Sequence, residues 1–179
     1  MRYLFHPGCA LYRTRKQAAE RAAEYLKADL HTSCCKKAAL APVDGLIITV
    51  CPFCENVHRR NSVETITLWE LIPDDFDFPD YSGLELSIHD SCKIRRKNLY
   101  SVVRKLLLKM NITIKEPLET MENSPCCEYW GSLENMEKRV LDMPVRSIVV
   151  YCNGCFRGMQ TGGGKPIHLI DLLFGDNNP

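Results

Sequence analysis

The sequence predicts an α/β fold of two pseudo-symmetric lobes made by internal duplication, each a small, mostly parallel sheet with flanking helices. Three observations carry this prediction. The 10 cysteines fall into two sets in one order: a single Cys, a vicinal Cys-Cys pair and a C-x-x-C. They stand at Cys9, Cys34, Cys35, Cys51 and Cys54, then at Cys92, Cys126, Cys127, Cys152 and Cys155, with none left over. The repeat also extends beyond cysteine. His6-Pro7-Gly8-Cys9 answers His89-Asp90-Ser91-Cys92, an H-x-x-C in both halves. Ile66-Thr67-Leu68-Trp69-Glu70-Leu71 aligns without a gap with Ile167-His168-Leu169-Ile170-Asp171-Leu172, at the offset that relates Cys51 to Cys152. Such self-similarity marks a duplicated structural unit. Finally, strand-length apolar runs alternate with helical periodicity in each half, the pattern of a parallel sheet.

The elements follow in order. Tyr3-Leu4-Phe5 reads as a short strand entering the Pro7-Gly8 turn, and Leu86-Ser87-Ile88 does the same in the second half. A helix is predicted over 12–28, with Ala18, Ala19, Ala22, Ala23 and Leu26 at helical spacing. Its counterpart runs from Asn98 to Lys109 and carries Val102, Val103, Leu106 and Leu107. Residues 45–50 and 147–151 read as buried strands, each feeding directly into its C-x-x-C. The stretch 73–83, with two prolines, four aspartates and a glycine, reads as a linker. The domains are therefore residues 1–72, the first cysteine-rich repeat, and 84–179, the second. Gly162-Gly163-Gly164-Lys165 lacks the Ser/Thr of a phosphate loop, because Pro166 follows, and reads as a flexible connection. Trp69 and Trp130 are expected in the core or at the lobe interface. His168, with Thr67 at its matching position, is expected at the surface or in packing, and residues 175–179 as a frayed tail.

Composition narrows the function. Hydrophobic residues at 45% and charged residues at 25% are ordinary for a globular protein. Lys+Arg number 23 against 22 Asp+Glu, so no overall charge draws the chain to nucleic acid or an acidic membrane. The apolar runs fall far short of the about 20 residues that span a bilayer, so no membrane insertion is expected. The N-terminus places His6 and Pro7 where a signal peptide is apolar, which points to the cytoplasm. In a reducing compartment, 10 cysteines signify metal binding or redox chemistry rather than structural disulfides.

Parallel sheets place binding sites beyond the carboxyl ends of their strands, where Cys9, Cys51, Cys54, Cys92, Cys152 and Cys155 fall. Several soft thiolates in one place select zinc or an iron–sulfur cluster. A tetrahedral zinc needs four ligands, whereas each half offers five. Adjacent residues in extended backbone project to opposite faces, so a vicinal pair suits two metal atoms better than one. This favours a polynuclear iron–sulfur cluster over mononuclear zinc. Lys93, Arg95, Arg96 and Lys97 form a candidate patch for an anionic substrate or partner, against the alternative of a solvated helix face. His6 and His89 are candidate ligands or proton donors, or else fix their turns by hydrogen bonding. Two other readings stand beside this one: a non-catalytic module stabilised by zinc in one or both halves, and a thiol–disulfide oxidoreductase using Cys51 and Cys54. No flavin, nicotinamide or ferredoxin signature is present, so electrons would come from another protein.

The doubled order Cys, Cys-Cys, C-x-x-C resembles the CCG cysteine-rich domain of heterodisulfide reductase, in its B-type component, and of related iron–sulfur proteins of glycolate and lactate oxidation. The stretches Phe5-His6-Pro7-Gly8-Cys9-Ala10-Leu11 and His89-Asp90-Ser91-Cys92-Lys93 resemble the openings of that family's two halves, and the likeness runs from about residue 3 to 174. It implies two noncubane [4Fe–4S] clusters that split and reduce a disulfide or thiol-type substrate, with electrons from an iron–sulfur or flavin partner protein. On that resemblance Cys9, Cys34, Cys35, Cys51 and Cys54 hold one cluster, and Cys92, Cys126, Cys127, Cys152 and Cys155 the other. The glycine that names the motif is replaced by Lys36 after the first Cys-Cys pair and by Glu128 after the second.

Overall fold

The computed structural model describes residues 3–35, 45–94, 96 and 98–175. Lys36, Arg95, Lys97 and the tail from 176 onward lie outside the described residues. The first lobe runs β1 (Tyr3–His6), α1 (Cys9–Thr14), α2 (Lys16–Leu26), β2 (Asp29–Leu30), β3 (Leu46–Thr49), α3 (Pro52–Arg60) and β4 (Thr65–Thr67), closed by a 3₁₀ turn at Leu68–Leu71. The second runs β5 (Glu85–Ile88), α4 (Asn98–Lys109), β6 (Thr113–Lys115), a 3₁₀ turn at Met121–Asn123, α5 (Leu133–Leu141), β7 (Ser147–Val150), α6 (Asn153–Thr161), β8 (Lys165–His168) and α7 (Leu169–Phe174). Each lobe holds a four-stranded sheet, ordered β2-β1-β3-β4 and β6-β5-β7-β8, and every pairing is parallel. The α/β architecture of two similar lobes is the one the cysteine repeat predicts.

The central pairs fix the register. Phe5 lies opposite Ile48 and Ile88 opposite Val149, so the buried faces of each lobe align. In both sheets the chain leaves the first central strand toward one edge and returns to pair on its other side. That reversal opens a crevice at the carboxyl ends of β1 and β3, and of β5 and β7. Cys9 and Cys51 stand at the first crevice, Cys92 and Cys152 at the second.

The helix expected over 12–28 starts earlier, at Cys9, and is interrupted. Arg15 adopts φ −140° and ψ 50°, and its guanidinium turns across to Asp171 of the other lobe, at 2.6 Å. Beyond it, α2 buries Ala18, Ala19, Ala22 and Ala23, a stripe of small side chains that packs on α7. Reciprocally, α4 of the second lobe packs on Leu68–Leu71 of the first. Leu68–Leu71 and Leu169–Leu172 are repeat equivalents, so the two contacts are two versions of one clasp. Ion pairs repeat the pattern: Asp171 takes Arg15, while its equivalent Glu70 takes Arg96 at 2.7 Å. The stretch 73–83 carries no helix or strand, yet Phe76, Phe78 and Tyr81 pack against a core that spans both lobes.

The 162–165 turn is not the flexible connection expected of it. A Cβ on Gly162 would lie 2.4 Å from the Met136 carbonyl, so glycine is required there by close packing of α6 on α5.

His168 is fully buried and caps α7, its Nδ1 accepting from the Ile170 amide at 3.3 Å, where Thr67 and Glu70 form a capping box in the first lobe. Burial, reinforced by Arg15, holds its pKa down from 6.5 to about 3. The unfolded chain therefore binds a proton across that window which the folded one refuses. Stability is full above pH 6.5 and falls toward pH 3, at up to about 1.4 kcal/mol per pH unit for one such group. His168→Thr should flatten the acid limb of stability against pH, read by urea unfolding at a series of pH values. Some slope should persist, because His6 and His58 are depressed in the same direction. An unaltered limb would show that His168 does not titrate this way.

Candidate metal centre

All ten cysteines line a single cavity of about 290 Å³ between the lobes, and all ten are free thiols. Strand termini deliver most of them. Cys51 and Cys152 precede α3 and α6, with Pro52 and Asn153 opening those helices, so Cys54 and Cys155 return one turn later beside them. Gly8, at φ 91°, carries the chain from β1 into α1, and a Cβ there would lie 3.1 Å from Cys54 Sγ. Glycine at that turn leaves the sulfurs room.

The vicinal pairs divide between two partners, as two-faced projection demands. In the first lobe the Cys34 thiol lies with Cys9, and the Cys35 thiol with Cys54, which in turn meets Cys51. In the second, Cys92 and Cys126 are 3.4 Å apart, and Cys127 meets Cys155, which meets Cys152. Cys51 and Cys152 approach each other to 3.7 Å across the lobe boundary, near the pseudo-dyad. The two five-thiol groups are thus back to back.

The electrostatics of this crowd call for a cation. Neighbouring Cys35 and Cys51, with burial, push Cys54 well up, and Cys127 and Cys152, with burial, do the same to Cys155. Burial and Cys126 push Cys92 up to about 12. Cys127 alone in its group is lowered, to about 5, chiefly by hydrogen bonding from Cys155, with His89 helping. Thiols that raise one another's pKa are stabilised as thiolates by a soft metal charge among them. The donor set therefore fits a sulfur-bound metal or cluster.

The two histidines behave differently. His6 spends both ring nitrogens inside the first lobe: Nε2 donates to the Ser33 carbonyl at 2.7 Å and Nδ1 meets His58 Nε2 at 2.7 Å. It therefore fixes the segment entering Cys34 and turns no nitrogen toward the sulfurs. His89 is fully buried, and its ring falls with the Cys127 and Cys155 thiols into a group whose ligand atoms lie within 4.8 Å of one another.

The basic run is not one continuous patch. Arg96 turns inward and donates to Glu55 at 3.0 Å and Glu70 at 2.8 Å, so it ties the lobes together and is not free for an anion. Lys93 is exposed and lines the cavity, while its carbonyl accepts from Asn56 Nδ2 at 2.6 Å. Trp130 is not in the core: it is 83% exposed and packs at a tilt against Tyr129 at the cavity rim, where Arg157 donates to the Tyr129 hydroxyl at 3.1 Å. Trp69 does lie in the core, fully buried.

Asp90 is the residue that sequence reasoning missed. It is fully buried and accepts from Arg104 Nη1 and Nη2 (3.2 and 2.9 Å), Thr120 Oγ1 (3.0 Å), the Met121 amide (2.7 Å) and the Tyr151 hydroxyl (2.6 Å). Those bonds anchor the segment that leads to Cys126 and Cys127. The available signal was a carboxylate directly after a buried strand, where the first half has Pro7.

Among the described residues no helix is long and apolar enough to cross a membrane. No curated protein and no solved structure matches the chain. A family model does: residues 86–160, which contain Cys92, both vicinal thiols and the second C-x-x-C, match it, and the second lobe is accordingly a cysteine-rich domain of the CCG family.

Proposed function

We propose that this protein is a redox protein holding one iron–sulfur cluster per lobe, of the heterodisulfide reductase B-type kind, which reduces a disulfide-type substrate or relays electrons within a larger complex. One observation carries the reading. Ten free thiols share a cavity, and each vicinal pair sends its two sulfurs to different partners. Five donors so arranged exceed what a tetrahedral zinc uses and suit several metal atoms.

Cys9, Cys34, Cys35, Cys51 and Cys54 would hold the first cluster, and Cys92, Cys126, Cys127, Cys152 and Cys155 the second. Bound there, the clusters would supply one-electron storage and an iron site for a substrate sulfur. The chain's own residues do the rest. Burial of Cys51, Cys152 and Cys155 excludes water from the back of the cavity. The 3.7 Å approach of Cys51 to Cys152 keeps the two centres close enough to exchange electrons. Lys93 and Arg157 present positive charge at the open side, where no described carboxylate lines the wall. An electron-donor protein completes the system, because the chain carries no flavin or nicotinamide motif.

The test is iron, zinc and acid-labile sulfide per chain on anaerobically purified protein, with the visible spectrum. About eight iron and eight sulfide are expected for two [4Fe–4S] clusters. Cys35→Ser and Cys127→Ser should each remove about half of that iron, since each breaks one set. About two zinc per chain with no sulfide and no colour would replace this reading with a zinc-stabilised module.

A further inference from the structure

The lobes repeat one another in topology and in cysteines, but not at their histidines. Arg139, at 3% exposure, is the only lysine or arginine buried among the described residues. Its Nε donates to His89 Nδ1 at 3.3 Å, while Nη2 donates to the Glu119 carbonyl and to Ser124 Oγ. Arginine only donates, so His89 Nδ1 must accept, and the proton of the neutral ring then sits on Nε2. That Nε2–H is fully buried with no nitrogen or oxygen acceptor among the described residues, while the ring lies in the group with the Cys127 and Cys155 sulfurs and its hydrogen bonding helps hold the Cys127 thiol down.

A ring held in this tautomer has no lone pair on Nε2 to offer a metal. It has an N–H to offer a thiolate. The described residues of the first lobe hold no equivalent, since His6 uses its nitrogens on Ser33 and His58. Arg139 also sets a buried positive charge beside the His89 ring, opposed by the half-exposed Asp142, 3.8 Å away, and by Glu119. Hydrogen bonds to cluster sulfurs and nearby positive charge favour the reduced, more negative state.

We infer that the two centres are unequal: His89, held by Arg139 as an N–H donor to the Cys127 and Cys155 sulfurs and not as a ligand, gives the second lobe the higher reduction potential, so the first electron rests there. This rests on the iron–sulfur reading above. One electron enters from an external one-electron donor, and no bond is made or broken. His89 and Arg139 are positioning residues in this scheme.

The experiment is an anaerobic titration of the full chain with titanium(III) citrate, followed by absorption and EPR, on samples whose iron and sulfide are assayed in parallel. Wild type should reduce in two separate steps. Arg139→Gln and His89→Phe should each weaken the upper step at least tenfold, about 59 mV for one electron, and leave the lower step in place. Equal potentials in iron-loaded protein, or equal shifts of both steps, overturn the inference while leaving the iron–sulfur reading intact. Absence of iron and sulfide overturns both. If either variant fails to fold, pulsed EPR on half-reduced wild type labelled with ¹⁵N-histidine decides. The weak coupling of a hydrogen-bonded nitrogen is expected. The strong coupling of a ligated nitrogen, or no coupling at all, refutes it.

Discussion

Asp90→Ala should lower the unfolding free energy by about 3 kcal/mol and strip metal from the second lobe only. The carboxylate has no exposed surface and accepts five hydrogen bonds from four residues. Burial, its largest single influence, pushes its pKa up, but Arg104, Tyr151 and the Met121 amide outweigh burial and hold it below the ordinary value. Alanine would leave the Tyr151 hydroxyl and the Met121 amide without an acceptor and unpin the approach to Cys126 and Cys127. Removing one partner of a buried pair costs about 3–5 kcal/mol. Arg104 retains Glu116 at 2.7 Å, which places the expected loss at the low end of that range. Asp90→Asn, which keeps the shape and removes the charge, isolates the Arg104 pairing. Urea unfolding followed by circular dichroism reads the stability, and metal per chain reads the site. A loss under about 1 kcal/mol, the size of an ordinary surface effect, would show that the loop is held by other contacts.

The contrast between Asp90 and the cysteines shows which parts of the molecule local pattern can reveal. The central strands were legible because Leu46–Thr49 and Ser147–Val150 are continuous apolar runs feeding a C-x-x-C, and burial on both sheet faces requires such runs. Convergence of the thiols followed from their places at strand ends. The edge strands were not legible. Asp29–Leu30 and Thr113–Lys115 are two and three residues long with one apolar residue each, too short to carry a pattern, and their strand character comes from pairing with β1 and β5. The break at Arg15 and the inward turn of Arg96 answer carboxylates in the other lobe, which no window of sequence displays. The same is true of Arg139, which meets His89 across a separation of 50 residues. Trp130 misled for the opposite reason. Its size argues for burial, yet it follows the Cys126–Cys127 segment onto the open rim of the cavity. Repetition thus disclosed what the lobes share, and structure was needed for what distinguishes them.

Trp69→Ala should cost about 3–5 kcal/mol, as for other fully buried aromatics, and should empty both lobes, not one. Trp69 lies in the 3₁₀ turn that α4 grips, so truncation would open a cavity within the clasp itself. Its indole stands 6.3 Å from the His168 ring, the residue that caps the equivalent turn in the other lobe. Its Nε1 donates to the Val50 carbonyl at 3.2 Å, one residue before Cys51. Loss of the side chain would therefore loosen the lobe contact and the backbone that carries the Cys51 sulfur toward Cys152. Trp69→Phe separates these effects. It retains most of the packing but removes the donor, which should cost about 1–3 kcal/mol and act mainly through Val50. Metal loading and thermal unfolding of the two variants, beside Asp90→Ala, make the comparison. Loss of loading in one lobe with Asp90→Ala, and in both with Trp69→Ala, is the expected pattern if the cavity is one site built by two halves. If the second lobe of Trp69→Ala kept its full metal while the first lost its own, the two centres would be independent, and their shared cavity would have no bearing on assembly.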